Sequence, residues 1–376
     1  MGSTDPRARM TGLATKQPSG SGLVLVLNAG SSSLKASLLN ESGVRLWQGQ
    51  RECPMAEGAS PEPVLEEWLP SVLASWRDGI VLAGHRVVHG GEAFTAPVRL
   101  DPTVLTALAE LVPLAPLHNG PALGVMRWLA AHEPHLEQWA CFDTAFHATL
   151  PPEAATYAIP ADWRRQGLRR FGFHGLSHQH VAEVVSARLS HASAADPLRL
   201  ISCHLGAGCS LCAIAAGRSI DTTMGFTPLE GLVMATRCGS VDPGLLLHQL
   251  RRGLSVEELD RALHGHSGLL ALSQLSGSMQ ELRAAALAGH EGAQLAIAVF
   301  RHRLLREIGA MAASLGGLDV LAFTGGIGEH DVALREEVGS ALTWLSPFDV
   351  MVIAADEEQV IARACRRAAA EEAISH

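Results

Sequence analysis

The residues best suited to chemistry in this sequence lie in two glycine-rich turns that resemble each other. The first reads Leu-Asn-Ala-Gly-Ser-Ser-Ser-Leu-Lys over residues 27–35, and the second reads Leu-Gly-Ala-Gly-Cys-Ser-Leu-Cys over residues 205–212. Glycine and serine in a turn expose backbone N–H groups and hydroxyls, which are the donors that a phosphate group needs. Two such turns predict a duplicated unit that holds a phosphate-bearing ligand.

The first turn carries several candidate phosphate ligands. Ser31, Ser33 and Lys35 alternate along the chain, so they share one face of a strand that enters the fold, close to Asn28. Hydroxyls and one ammonium in this arrangement suit a terminal phosphate, and the alternative is an ordinary Gly-Ser hairpin. Apart from Lys16, Lys35 is the only lysine of a chain that otherwise uses arginine, which favours a specific role for its compact charge.

Two arginines, a histidine and two carboxylates form a second group of candidates. Arg86 and Arg237 lie in glycine-bounded segments, where a guanidinium is able to bind a carboxylate or phosphoryl group or to form a surface ion pair. His174, between glycine and aromatic residues, suits a transferring phosphoryl group or an ordinary core position. Asp143 follows an apolar strand and Glu357 begins the last helix, so either is a magnesium ligand or a helix cap.

The elements that must position these residues alternate along the chain. Apolar runs on both sides of each glycine turn predict strand, tight turn and strand. Further strands are expected at 80–88, 138–142 and 320–323. Helices are expected at 64–76, 102–111, 178–189, within 256–311 with a break near 265–277, after 331 and at 357–373. This alternation predicts an α/β fold, in which Gly325, Gly326 and Gly328 connect a strand to a helix and suit a phosphate or ribose-phosphate edge.

Composition and charge exclude several classes of protein. A chain of 376 residues has room for two domains, and a net charge of −9 opposes general nucleic-acid binding. No apolar stretch reaches the ~20 residues that span a bilayer, so we expect no membrane partner and a cytoplasmic location. The seven cysteines are expected to stay reduced, with a metal site at the Cys209–Cys212 pair as the lesser alternative.

Six segments, read in order, resemble the acetate kinase family; they lie at 28–35, 85–91, 142–147, 171–178, 221–231 and 323–329. The resemblance runs from about residue 23 to residue 363. It implies an α/β protein with two duplicated actin-like ATPase (ribonuclease H-like) domains and an active-site cleft between them. The expected ranges are a tag-like or disordered lead at 1–22, one domain at 23–150 joined by the helix at 357–376, and a second domain at 151–356.

The resemblance also implies the reaction and the residues that perform it. ATP and acetate would give ADP and acetyl phosphate by in-line transfer in a homodimer, with Mg²⁺ or alternatively Mn²⁺. Arg86, Arg237, His174 and Asp143 would be catalytic, and Asn28, Asp143 and Glu357 would place the metal. The nucleotide and its phosphates would contact Asn28, Ser31, Ser33, Lys35, His204, Gly206, Ala207, Gly208, Gly325, Gly326, Gly328 and His330. The acyl pocket would be formed by Val88, Leu117, Phe173 and Pro228.

Three positions depart from the family's motifs and keep alternatives open. Ala207 replaces an asparagine, His330 replaces an asparagine and Ser240 replaces an acidic residue. These changes leave open a different phosphoryl donor, such as another nucleotide or pyrophosphate, or weaker ATP binding and low activity. Propionate or butyrate is the alternative acceptor, although Val88 narrows the acyl pocket and favours acetate. An ATPase of the same fold without acyl chemistry is the alternative from another functional class.

Overall fold

The computed structural model describes residues 22–30, 33–53, 60–189 and 197–375. The lead predicted at 1–22 therefore lies outside the described residues, apart from Gly22. The described strands, in chain order, are β1 (Leu23–Ala29), β2 (Ser33–Leu39), β3 (Arg45–Glu52), β4 (Ile80–Val87), β5 (Val98–Arg99), β6 (Glu137–Phe142), β7 (Arg199–Leu205), β8 (Cys209–Ala215), β9 (Arg218–Thr222), β10 (Val320–Thr324) and β11 (Asp349–Val352).

Helices follow or separate these strands. In chain order they are α1 (Glu62–Trp76), α2 (Pro102–Glu110), α3 (Pro116–His132), α4 (Pro152–Ala155), α5 (Ala161–Arg165), α6 (Gly175–Arg188), α7 (Pro243–Arg251), α8 (Val256–Gly265), α9 (Gly268–Ser273), α10 (Met279–Leu287), α11 (Glu291–Leu315), α12 (Gly325–His330), α13 (Val332–Ala341) and α14 (Glu357–Ser375). Among the described residues, none of these helices is both long enough and apolar enough to cross a membrane.

The chain divides into two compact units. Unit 1 comprises the described residues up to Val87, from Pro97 to Cys141 and from Ile361 onward. Unit 2 comprises Val88–Ala96 and the described residues from Phe142 to Val360. The domain ranges expected from the sequence stay a prediction, because a compact unit is defined by packing and a domain by independent folding.

Each unit is built around one mixed sheet, and the strand orders match. The sheet of unit 1 has the order β3-β2-β1-β4-β6-β5. The sheet of unit 2, written from the corresponding edge, has the order β9-β8-β7-β10-β11. In both, three antiparallel strands are followed by a parallel neighbour of the first strand, β4 beside β1 and β10 beside β7. The predicted α/β class with a duplicated unit is confirmed at the level of topology.

Helices cover these sheets through close apolar contacts. In unit 1, α14 approaches β4 so tightly at Gly84 that a Cβ there would lie 2.7 Å from Ile361 and 2.8 Å from the Sγ of Cys365. In unit 2, α6 packs through Val181 and Val185 on residues of β7, β8 and β10. This packing fixes α6, and with it the residue before its first turn, against the end of the sheet.

Two boundaries differ from the sequence prediction. Helix α6 begins at Gly175 rather than near residue 178, and the glycine segment after β10 is itself a helix, α12, followed separately by α13. The reason is local at α12: Gly325 has a φ of +78°, a conformation that suits glycine, and lets the chain turn directly from strand into helix. A Cβ at Gly325 would also approach the carbonyl oxygen of Leu205 to 2.8 Å.

One ion pair links Arg199 of β7 to Asp319, the residue before its neighbour β10, and gives a pH-dependent prediction. Asp319 accepts from the backbone N–H of Arg199 at 2.8 Å and from its Nε at 3.1 Å. These hydrogen bonds, followed by the charge of the guanidinium, hold the pKa of Asp319 below its usual value. A carboxyl whose pKa is lowered by folding stabilises the fold above its unfolded pKa of about 4, and this contribution is lost as the pH falls below that value.

We therefore expect Asp319→Asn to lower the free energy of unfolding at pH 7 by no more than about 1 kcal/mol, because both side chains are 35% exposed and solvent screens them. Urea unfolding of both proteins at pH 7 and pH 3 measures the difference. The gap should narrow at pH 3, because below about pH 4 the unfolded carboxyl binds a proton first, and the contribution of the charged carboxyl to stability falls until the pH reaches its lowered folded pKa. A gap of constant size at both pH values would contradict the assignment.

Candidate active site

The second glycine turn is a three-residue loop between β7 and β8. Leu205 pairs with Cys209 across the hairpin, so Gly206, Ala207 and Gly208 form the connection, with the Gly206 N–H donating to the Gly208 carbonyl at 2.9 Å. The carbonyl of Ala207 accepts from the N–H of Ala235 at 3.0 Å, which ties the loop to the segment that carries Arg237. The predicted strand–turn–strand is confirmed, and its tip faces outward because Ala207 is exposed.

His174 precedes α6 in a backbone conformation that is rare for a residue with a side chain. Its φ of 56° and ψ of 24° lie in the left-handed region, and such strain is most often found at functional sites. The next residue, Gly175, donates its N–H to the carbonyl of Asp143 at 2.9 Å, and a Cβ at Gly175 would clash with that carbonyl. Glycine at this position therefore brings His174 and the buried Asp143 together.

Two potential donors converge beside Gly208. A Cβ at Gly208 would lie 3.1 Å from Nε2 of His174 and 3.7 Å from Nη1 of Arg237. The same Nη1 donates to the carbonyl of Pro228 at 3.0 Å, which fixes the guanidinium in place. An imidazole and a guanidinium around one small opening are arranged to hydrogen-bond the oxygens of an anionic group such as a phosphoryl.

Buried histidines and serines lie behind His174. The ring of His174 stacks on His204 with 4.2 Å between centroids, and the Nδ1 of His204 is 2.7 Å from the Ser177 hydroxyl. Behind them, burial, together with the nearby His147 and His204, lowers the pKa of His178 well below its usual value, and burial lowers that of His147 to about 4. Both rings are therefore neutral at physiological pH, so they orient their neighbours without adding charge.

A second, half-buried cluster supports the loop that carries Pro228. Glu230 accepts from the hydroxyl of Tyr157 at 2.6 Å and from Nη2 of Arg170 at 2.9 Å. The same arginine donates through Nη1 to the carbonyls of Thr222, Thr223 and Met224, at 3.1, 3.2 and 2.8 Å. Sequence reasoning missed this cluster, although the single tyrosine of the chain was a signal of an unusual position. It acts on the site through the loop, since Pro228 anchors Arg237.

The glycine loop at 206–208 and the glycine segment at 325–328 lie at the same edge of the unit 2 sheet. Thr324 pairs with His204 in the parallel ladder between β10 and β7, so α12 begins beside the loop after β7. A cavity of about 740 Å³ opens at this edge. It is lined by Gly206, Ala207, Ala235, Gly277, Ser278, Met279, Gln280, Arg283, Gly326, Ile327, His330 and Asp331. Its size lies within the range of small-molecule sites.

The wall formed by residues 277–283 was not predicted from the sequence. Gly277 and Ser278 precede α10, and only this break in the helical pattern marks the segment. Arg283 on this wall donates to Asp331 and Glu337, both at 3.0 Å, so its charge is balanced within the protein. His330 is exposed at the cavity, and the amide of Gln280 is also exposed, which leaves both able to meet a ligand.

The structure describes the side chains of three of the four residues predicted to form the acyl pocket. Val88 is 8% and Phe173 1% exposed, and Pro228 is half-buried. Phe173 lies in an aromatic group around His89, with ring centroids 5.4 Å apart. Leu117 belongs to α3 of unit 1, and its side chain lies outside the described residues. Apolar side chains beside His174 suit the methyl end of a small carboxylic acid.

In unit 1, the first glycine turn and β4 bring a second set of candidates together. Asn28 pairs with Lys35 across the hairpin, and Nη1 of Arg86 donates to Oδ1 of Asn28 at 3.4 Å. Lys35 is exposed and Ser33 half-buried, on the face opposite the buried Leu34. The alternation predicted for Ser33 and Lys35 is confirmed, while Ser31 lies outside the described residues.

The candidate metal ligands have the right chemistry for a hard cation. Asp143 is 1% exposed, and Glu357 is the half-buried first residue of α14. Among the described residues, no group of three or more histidine, cysteine or acidic side chains could hold a metal ion. Carboxylate oxygens without a closed cage suit Mg²⁺, which usually keeps waters and substrate phosphates as its other ligands. The Cys209–Cys212 alternative for a metal gains no support, since these described cysteines are buried without such a cluster.

Ser240, one of the three departures, has a structural partner. Its hydroxyl accepts from the N–H of Gly231 at 3.1 Å, and its own N–H donates to the carbonyl of Gly231 at 2.9 Å. These two bonds close the loop at 231–240, which carries Arg237. The serine thus keeps the loop in place without a carboxylate.

The repeated sheet order is consistent with the duplicated actin-like ATPase fold, and the glycine loops at one edge of the unit 2 sheet suit the binding of phosphate. A sequence model of the acetokinase family matches residues 64–370. The chain belongs to this family. The resemblance stated from its motifs is thereby confirmed.

Individual relatives agree with this assignment. The chain is 43% identical to an acetate kinase of Synechococcus over 91% of this chain and 98% of that protein. It is 46% identical to an acetate kinase of Deinococcus radiodurans, with 83% and 84% covered. Among solved structures, a propionate kinase from Francisella tularensis is 35% identical with a TM-score of 0.85, covering 91% of this chain and 98% of its own. An acetate kinase from Porphyromonas gingivalis is 34% identical with a TM-score of 0.81 and the same coverage.

Proposed function

We propose that this protein transfers the terminal phosphoryl group of ATP to the carboxylate of acetate, giving ADP and acetyl phosphate. The observation that carries the proposal is the convergence of His174 Nε2 and Arg237 Nη1 beside Gly208, next to the cavity of about 740 Å³. The acetate kinases among its relatives support the choice of acceptor.

The proposed roles follow from charge. A carboxylate oxygen attacks the terminal phosphorus in line, and the bond to the bridging oxygen of ADP breaks, so the reaction needs positioning and charge stabilisation rather than a covalent protein intermediate. Arg237 and His174 bind oxygens of the planar phosphoryl group while it moves. The guanidinium stays in position because Pro228 holds it.

Residues of unit 1 keep their predicted roles as part of the proposal. Asn28, Ser33 and Lys35 bind the terminal phosphate, together with Ser31, and Arg86 binds carboxylate or phosphoryl oxygens. Asp143, Glu357 and Asn28 would hold Mg²⁺, or Mn²⁺ in its place, which neutralises phosphate charge when it is bound. A homodimer and a cytoplasmic location complete the proposal.

The cavity favours a nucleoside triphosphate over pyrophosphate as the donor. Its lining leaves room beyond the phosphate-binding loop for a base and a ribose, and Gly326 has nothing within 4 Å of an added Cβ. Ala207 offers no side-chain donor and the Gly206 N–H already donates to the Gly208 carbonyl, so phosphate binding by this loop falls to the backbone N–H groups of Ala207 and Gly208. His330 is exposed at the same cavity and does not fill it.

The acyl pocket gives a prediction about the acceptor. Val88→Ala removes two methyl groups from a buried position, which makes room for a longer acyl chain. We expect the ratio of kcat/KM for propionate to that for acetate to rise about tenfold, since a methylene in an apolar pocket is worth about 1–3 kcal/mol. Initial rates with both acids measure this ratio. An unchanged ratio would show that Val88 does not line the pocket.

The proposed function is tested by trapping acyl phosphate with hydroxylamine. Acetate, propionate and butyrate are each offered with ATP or with pyrophosphate, in the presence of Mg²⁺. We expect the highest kcat/KM with ATP and acetate. Activity with pyrophosphate alone would transfer the assignment to another donor, and ATP hydrolysis without any acyl phosphate would support the non-acyl ATPase.

A further inference from the structure

A continuous chain of hydrogen bonds runs from the back of His174 into the core of unit 2. The hydroxyl of Ser210 lies 2.9 Å from Nδ1 of His174 and 2.8 Å from Nε2 of His178. On the far side of that second ring, Nδ1 of His178 lies 2.9 Å from the hydroxyl of Ser202. Ser202, Ser210 and His178 are each 0% exposed, so water does not interrupt the chain.

When the Ser210 hydroxyl proton is used inside the chain, the protons have two consistent orders; the arrangement in which both rings donate to Ser210 leaves its buried O–H without an acceptor among the described residues. A neutral imidazole has one donor and one acceptor, and a serine hydroxyl has one donor. In the first order every proton points toward His174: Ser202 donates to His178, which donates to Ser210, which donates to Nδ1 of His174. In the second order every bond is reversed, so His174 donates from Nδ1 and Ser202 accepts at the end.

Ser202 favours the first order. Within the described part of the chain, Nδ1 of His178 is the only hydrogen-bond partner of the Ser202 hydroxyl. In the reversed order the buried O–H of Ser202 would have no acceptor, and an unmade bond from a buried donor is costly. In the first order that O–H is satisfied, and only lone pairs are left over.

The order of the protons decides what His174 presents beside Gly208. If Nδ1 accepts from Ser210, a neutral His174 carries its single proton on Nε2, the nitrogen 3.1 Å from the Cβ position of Gly208. An Nε2–H is a donor to a phosphoryl oxygen. With the reversed order, a neutral His174 would present a lone pair there and repel the phosphoryl oxygens.

We propose that Ser210 is a positioning residue, which donates to Nδ1 of His174 and so holds that ring in the tautomer whose Nε2–H faces the transferred phosphoryl group. This inference rests on the proposed function for its kinetic consequence. The tautomer itself is a property of the protein alone. His178 and Ser202 set the direction of the hydrogen bonds, and Ser210 continues that direction to His174.

The test combines kinetics with a direct reading of the tautomer. Ser210→Ala removes the donor to Nδ1, and we expect kcat to fall about tenfold or more while KM for acetate and ATP changes less than about threefold. Ser219→Ala is the matched control: Ser219 is equally buried and its hydroxyl lies 2.8 Å from Nδ1 of His147, outside this chain. The control should keep kcat within about threefold of the wild type.

The tautomer is read by long-range ¹H–¹⁵N correlation spectra of the histidine-labelled full-length protein without substrates, with His174 assigned through His174→Gln. We expect the wild type to show a protonated Nε2 and an unprotonated Nδ1 at His174, and Ser210→Ala to lose that single form. A wild-type Nδ1–H, or an unchanged tautomer in Ser210→Ala, would overturn the proposal. So would equal losses of kcat in Ser210→Ala and Ser219→Ala. If the wild type forms no acyl phosphate, the proposed function fails, and the spectra still decide the tautomer.

Discussion

Arg237→Ala is expected to lower kcat for acetyl phosphate formation about 10³-fold, as when an arginine that stabilises a transferring phosphoryl group is removed. Nη1 of Arg237 lies 3.7 Å from the Cβ position of Gly208 and is anchored by the carbonyl of Pro228 at 3.0 Å. Its charge is needed most when negative charge spreads over the moving oxygens, so the loss should appear mainly in kcat. Steady-state rates from the hydroxamate assay measure it.

Arg237→Lys is the matched control for this prediction. A lysine keeps the positive charge and loses the planar fork, so we expect activity between those of the wild type and the alanine variant. Urea unfolding of both variants separates a lost charge from a loosened loop, because the loop with Pro228 is also tied by Glu230, Arg170 and Tyr157. A loss of less than about threefold in Arg237→Ala, with the fold intact, would remove Arg237 from the site.

Gly208→Ala is expected to lower kcat about 10²-fold without removing any functional group. The added Cβ would lie 3.1 Å from Nε2 of His174 and would occupy the place where we expect the phosphoryl group. Nothing in the backbone forbids the change, because Gly208 is not among the glycines with positive φ. The effect is therefore steric: the His174 ring must shift by a few tenths of an ångström to admit the Cβ, and urea unfolding measures any accompanying change in stability.

Gly309→Ala serves as the control, because an added Cβ at this glycine would meet no neighbouring side chain. Gly309 lies within α11, and no heavy atom is within 4 Å of its Cβ position. Alanine in a helix interior stabilises by about 0.5–1 kcal/mol relative to glycine, so this variant should be slightly more stable and fully active. If Gly208→Ala were as active as Gly309→Ala, the opening beside His174 and Arg237 would not be where the phosphoryl group moves.

The sequence predicted the local parts of this fold well. Both glycine hairpins, β4, β6, β10, α1 and α2 lie within two residues of the expected positions, because apolar spacing and turn residues are local signals. The left-handed His174 was beyond such signals: its conformation depends on Gly175 packing against the carbonyl of Asp143. That contact joins residues far apart in the chain and follows from the tertiary fold.

The sequence predicted which residues form the site, and the structure shows how these residues are arranged. The motifs named His174, Arg237 and Gly208, yet their common opening depends on how the start of α6 lies against the start of β8, which no spacing reveals. Ser210 was quoted as part of a motif but given no role, because a hydroxyl facing two imidazoles is visible only in three dimensions. The wall at 277–283 was missed for the same reason: it reaches the cavity through packing alone.

The most direct test of the central claim follows the phosphoryl group itself. A ³¹P NMR time course of the wild-type enzyme with ATP, acetate and Mg²⁺ records each phosphorus species as the reaction proceeds. We predict that acetyl phosphate and ADP appear in equal amounts as ATP disappears, and that Arg237→Ala shows almost none of this change. Inorganic phosphate appearing with ADP from the start, without acetyl phosphate, would contradict transfer to a carboxylate and with it the proposed function.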